Sequence, residues 1–85
     1  MLYEYVVIHE YQYDSGDNGL ECWIFQELEF AKQKMNEEAK IAKQCMLDNV
    51  SDIEEDIGEM YYSVYEQGEY CYNHENIIIK RTEVQ

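Results

Sequence analysis

The chain of 85 residues carries nineteen Asp and Glu against six Lys and Arg, a formal net charge of −13 at neutral pH. Its hydrophobic content of 46%, with nine Tyr, two Phe and one Trp, is that of a folded protein rather than an acidic disordered tail. The charge speaks against direct binding to a nucleic-acid backbone or an anionic membrane, both of which need a positive face.

A chain of this length makes one domain, residues 1–85, and buries only about 60–65% of the surface its unfolded form exposes. Cys22, Cys45 and Cys71 are odd in number and form no CxxC pair, which fits free thiols in a reducing compartment. No basic segment followed by an apolar run opens the sequence, and no apolar stretch approaches the ~18 residues of a membrane span. The expectation is a soluble, cytoplasmic protein.

Residues 2–13, LYEYVVIHEYQY, are rich in Tyr, Val and Ile and read as a long strand. One parity carries Tyr3, Tyr5, Val7, His9, Tyr11 and Tyr13; the other carries Leu2, Glu4, Val6, Ile8, Glu10 and Gln12. DSGDNG at 14–19 offers turn chemistry, with Asn18-Gly19 suited to positive φ. Leu20–Phe25 returns as a second strand.

From Gln26 to about Asp48 the period changes. Leu28, Ala31, Met35, Ala39, Ala42 and Met46 recur at three and four residues, the apolar stripe of a helix. Lys32, Lys34, Lys40 and Lys43 balance Glu27, Glu29, Glu37 and Glu38, so the negative charge belongs to the rest of the chain. Residues 48–59, DNVSDIEEDIGE, hold six carboxylates and no base. Val50, Ile53 and Ile57 recur there at three and four residues, which predicts a short helical turn or ordered connection pinned to the core. The intervening acids would then point outward together as a ridge.

Met60–Glu66 predicts a third strand, Gln67-Gly68-Glu69 a turn or bulge, and Asn76–Val84 a last strand with three consecutive isoleucines. The fold class is α+β: a small, mostly antiparallel sheet of three to four strands with one long helix on one face, ββαββ or βαββ. One helix covers one face only, yet tyrosines occupy both strand parities. They either close the small core or form a partner-binding face.

The motifs argue against chemistry. An EF-hand loop starting at Asp48 has Val50 at the third position and Ile53 at the sixth, where a ligand and a glycine are needed. A loop starting at Asp14 ends on Phe25. Cys71 and His74, with His9 and Cys22, lack the paired spacing of a zinc site. Cys71 lies among Glu66, Glu69 and Glu75, which disfavour a thiolate nucleophile. The expectation is a protein with no catalytic residue, no metal site and no cofactor.

The stretches VVIHEYQYDSGDNG, DNVSDIEEDIGE and NIIIKRTEV, with the near-neutral helix, give the whole chain a recognisable character. It resembles small acidic proteins of bacterial phages and mobile elements, some of which inhibit CRISPR nucleases or restriction enzymes by mimicking DNA. The resemblance implies a protein partner with a basic surface, and no catalysis. Asp52, Glu54, Glu55, Asp56, Glu59 and Glu66 are the candidate anionic contacts, with Tyr61, Tyr62 and Tyr65 as apolar anchors. The alternative is a structural or regulatory module that forms a homodimer through a Tyr-rich sheet face or an edge strand.

Overall fold

The computed structural model describes residues 2–66 and 73–84. The elements run β1 (Leu2–Gln12), β2 (Asn18–Phe25), α1 (Leu28–Asn49), β3 (Ile53–Ile57), β4 (Tyr61–Glu66) and β5 (His74–Val84). They form one five-stranded sheet in the order β2-β1-β5-β4-β3, with every pairing antiparallel. The α+β class with a single helix across one face holds. The strand count exceeds the expected three to four, and the layout is ββαβββ. The predicted turn at 67–69 and Cys71 lie outside the described residues.

The added strand is β3, drawn from the acidic stretch. Its apolar spacing fits one helical turn, but a segment of five residues is too short to hold a helix alone. Paired with β4 from Ile53 opposite Glu66 to Ile57 opposite Tyr62, it satisfies backbone groups that β4 would otherwise leave open. The side-chain period is therefore two, not 3.6, and the acids divide between the two faces of the sheet.

Turn chemistry between β1 and β2 also differs from expectation. The residue with positive φ is Gly16, at 96°, and its N–H bonds the Tyr13 carbonyl at 3.0 Å. Gly19 instead sits in β2 opposite Tyr11. A side chain there would meet the Tyr11 ring, with the hydroxyl oxygen 2.5 Å from the added carbon. Glycine at 19 is a matter of space rather than of backbone conformation.

The helix lays Ala31, Met35, Ala42 and Met46 on the sheet, with Leu28 and Ala39 partly buried beside them. The sheet answers with Val7, Tyr62, Val64, Ile77 and Ile79. Full burial of Val7, Met46, Val64 and Ile77 contributes about 1.5–3 kcal/mol each. The alanines at 31 and 42 let the backbone come close. The helix ends at Val50, whose extended backbone leaves the spiral while its N–H still bonds the Met46 carbonyl at 2.9 Å. No helix among the described residues is long and apolar enough to cross a membrane.

Candidate functional site

Strand alternation sorts the sheet into a covered face and an open face. Tyr5, Val7, His9, Tyr11 and Tyr13 look toward α1, together with Trp23, Phe25, Val64, Glu75, Ile77 and Ile79. The opposite parity carries Val6, Ile8, Glu10, Leu20, Cys22, Ile24, Tyr61, Ser63, Tyr65, Asn76, Ile78 and Lys80.

The covered face contains a polar cluster within its core. His9 of β1 stands between Glu38 of α1 and Glu75 of β5, and the three side chains are 8%, 9% and 5% exposed. Its Nδ1 lies 3.2 Å from Glu38 Oε1 and its Nε2 lies 2.7 Å from Glu75 Oε1. The Tyr13 hydroxyl donates to the other Glu75 oxygen. A neutral imidazole has one N–H and one lone pair, whereas ionised carboxylates only accept. Two ring nitrogens facing two carboxylates therefore require the imidazolium, or a proton held by one carboxyl.

The electrostatics favour the imidazolium. Burial works against charge on His9, but the bonds to Glu75 and Glu38 outweigh it, and the pKa is raised above its ordinary 6.5. Burial, then the bond to Glu75, pushes the Tyr13 phenol well above its usual range, so it stays a donor. Burial, followed by the charges of Glu75 and Asp48, also raises the Cys45 thiol. Cys45 is thus a protonated, weakly nucleophilic group.

Asn73 closes this end of the molecule. Its Oδ1 accepts from the Asp14 N–H at 2.7 Å, and its Nδ2 donates to Glu66 at 2.6 Å. The β1–β2 turn is thereby fastened to the start of β5. Beside it lies a cavity of about 580 Å³, lined by the cluster together with Tyr11, Ser15, Asp17, Glu21, Ile41 and Cys45, among others.

The residues singled out from the sequence do not gather into one ridge. Glu54 and Asp56 point to the open face, where Tyr65 donates its hydroxyl to Glu54 at 2.8 Å. Glu55 points to the helix side, accepting from Tyr62 at 2.6 Å and pairing with Lys43 at 3.1 Å. The Tyr62 bond first, and Lys43 second, lower the Glu55 pKa. Tyr62 is a core residue and no surface anchor, whereas Tyr61 is exposed on the open face. Asp52 and Glu59 are exposed at either end of β3, and Glu66 is held by Asn73.

The open face leaves apolar surface in solvent. Cys22, Ile8, Ile78 and Tyr61 form one row across four strands, each opposite the next. Ile24 and Leu20 flank it at 65% and 61% exposure. Glu4, Glu10, Glu54 and Asp56 stand around this row, with Lys80 and His74 as the basic side chains among them. His9 is on the other side of the sheet from Cys22 and His74, so these residues cannot converge on a metal. Among the described residues no cluster of His, Cys, Asp and Glu is placed to hold one.

No family model, curated protein or solved structure matches the chain.

Proposed function

We propose that this chain is a non-enzymatic binding protein that docks on the basic surface of a nucleic-acid-handling protein and inhibits it in the manner of a DNA mimic. One observation carries the reading. The helix holds four acids and four lysines, so the charge of −13 lies wholly on the sheet and its loops, and the open sheet face leaves an apolar row uncovered. Carboxylates steer a cationic partner over distances that salt screens, while apolar side chains supply the short-range attraction that charge alone lacks. Glu54 and Asp56, with Tyr61 and Tyr65 beside them, are the predicted residues that fit this face. Glu4 and Glu10 extend it.

The test has two stages. Immobilised wild-type chain should retain a DNA-binding protein at low salt and release it at high salt. The chain should then compete with duplex DNA for that protein in a mobility-shift assay. Replacing Ile24 and Tyr61 with Thr and Ser should weaken both. Retention that ignores salt, or a partner that binds DNA and this chain together, would reject mimicry.

A second reading rests on the same uncovered row. With edges at β2 and β3 and apolar residues between them, the open face could pair with a second copy. Sedimentation separates the two readings, since a tight dimer insensitive to salt would favour self-association.

A further inference from the structure

We propose that this chain forms a two-fold symmetric dimer through the free edge of β2, joining the two sheets into one. The contact runs edge to edge and leaves both open faces free on the same side. It is independent of the docking proposed above.

β2 and β3 are the two edges of the sheet, and they are built differently. β3 has five residues, of which Glu54, Glu55 and Asp56 are acids, so a second β3 would be repelled. β2 has eight residues and a single charge, Glu21. It contains no Lys or Pro and keeps one register with β1 throughout. The charges, prolines and bulges that ordinarily protect an edge are thus missing from it. Among the described residues nothing pairs with its outer side.

The phase of the ladder identifies the groups left open. The Tyr13 N–H bonds the Asp17 carbonyl at 2.8 Å, one step beyond the Gln12–Asn18 pair. Antiparallel alternation then turns the backbone of Gly19, Glu21, Trp23 and Phe25 toward β1, and that of Asn18, Leu20, Cys22 and Ile24 outward. A two-fold axis beside Cys22 satisfies the last three together. It sets Leu20 opposite the partner's Ile24 and Cys22 opposite the partner's Cys22, each pair exchanging both hydrogen bonds. Leu20 and Ile24, 61% and 65% exposed, thereby gain apolar neighbours. Moving the axis to Glu21 would oppose two carboxylates.

The other parity favours a second copy as the occupant. In this register Glu21 stands opposite the partner's Trp23. Lys34 of α1 holds its Nζ 4.3 Å from the Trp23 ring centroid, and its ion pair is a 4.0 Å approach to Glu37 on its own helix. Glu21 is exposed and makes no hydrogen bond or ion pair among the described residues. Pairing brings its carboxylate beside the partner's Lys34, and the symmetry makes this contact twice. β2 and the lysine above it are therefore complementary to themselves in charge.

Sedimentation equilibrium of the intact chain at moderate salt, which screens the net charge, should show a reversible monomer–dimer equilibrium. Cys22→Pro removes an outward N–H that β1 does not use and should leave a folded monomer. Glu21→Lys should weaken the dimer several-fold, as should Lys34→Glu, and the two together should restore it, which loss of folding could not produce. Tyr61→Ser, on the open face of β4, should leave the dimer unaltered, unlike a dimer made by stacking open faces. With Cys45 and Cys71 replaced by Ser, a short bismaleimide should still join two chains through the exposed Cys22. A chain monomeric at every concentration, a dimer that survives Cys22→Pro or breaks with Tyr61→Ser, charge reversals that fail to rescue each other, or an absent cross-link would each overturn the proposal.

Discussion

The two faces of the sheet invert the usual division of labour. The covered face, sealed by α1, buries an imidazole and two carboxylates in the middle of its apolar residues. The open face holds Ile24 and Leu20 in water. Length explains half of this: a single helix cannot shield both sides of a five-stranded sheet. The other half is a matter of choice. Apolar residues could have filled the positions of His9, Glu38 and Glu75 more cheaply than charges, and polar residues could have replaced those of the open face. Where a fold departs from its cheapest solution on both sides at once, each side is a candidate for function.

Breaking the buried cluster should give the largest effect. Glu75→Leu or His9→Ala leaves a charge or a donor without its partner and should cost about 3–5 kcal/mol in urea denaturation. The combined replacement His9→Leu, Glu38→Met, Glu75→Leu should instead be neutral, or stabilising by about 1–4 kcal/mol. If the triple variant is as unstable as the single ones, the cluster is a structural necessity, and the contrast between the faces loses its functional meaning.

Neighbouring apolar positions sharpen the same contrast. Ile77 is fully buried on the covered face, and Ile77→Ala should cost about 2–5 kcal/mol. Ile24→Thr, on the open face, should move stability by no more than about 0.5 kcal/mol. Any partner bound through the open face should respond in the opposite order, losing affinity with Ile24→Thr while the folded fraction of Ile77→Ala binds normally.

Proton linkage offers a further discrimination. His9 has a folded pKa above its ordinary 6.5. Its contribution is fully present below that ordinary value and is lost as pH rises through the raised one. The groups facing it are Glu38 and Cys45 from α1, Glu75 from β5, Glu21 from β2, and Tyr11 and Tyr13 from its own chain segment. The wild-type melting temperature should therefore fall as pH rises from the ordinary imidazole value through the raised one, and the triple apolar variant should lose that slope.

Most elements could be read from residues because they are long and uniform in character. The apolar stripe of α1 recurs from Leu28 to Met46, and β1 and β5 are eleven residues each, rich in β-branched or aromatic side chains. β3 was hidden because Val50, Ile53 and Ile57 satisfy a helical spacing, and only pairing with β4 decides otherwise. The cluster was half visible. His9 shares its parity with Val7, on the buried side of β1. Glu38 lies three residues after Met35 and four before Ala42, within the stripe beside Ala39. A glutamate there reads as a solvated helix former. What makes it a core residue is a partner 29 positions away, and that partner's other contact lies 66 positions away. No local pattern carries that information.

The smallest and most local comparison concerns two adjacent acids on β3, each held by a tyrosine but on opposite faces. Glu55 accepts from Tyr62 on the covered side, and Glu54 accepts from Tyr65 on the open side. Tyr62→Phe removes the chief cause of the lowered Glu55 pKa, so that carboxyl should titrate closer to its ordinary value, as carbonyl NMR can follow. Lys43→Met, the lesser cause, should move it less. A lowered carboxyl pKa stabilises the fold above its ordinary value and ceases to do so as pH falls through the folded one. Tyr62→Phe should thus cost about 0.5–1.5 kcal/mol at neutral pH and progressively less in acid. Tyr65→Phe should leave the melting temperature unchanged throughout, because Tyr65 holds its acid in open solvent. A Tyr65 effect equal to that of Tyr62 would mean that the open face is not solvated as the fold implies, and a second copy seated on it would be the first thing to look for.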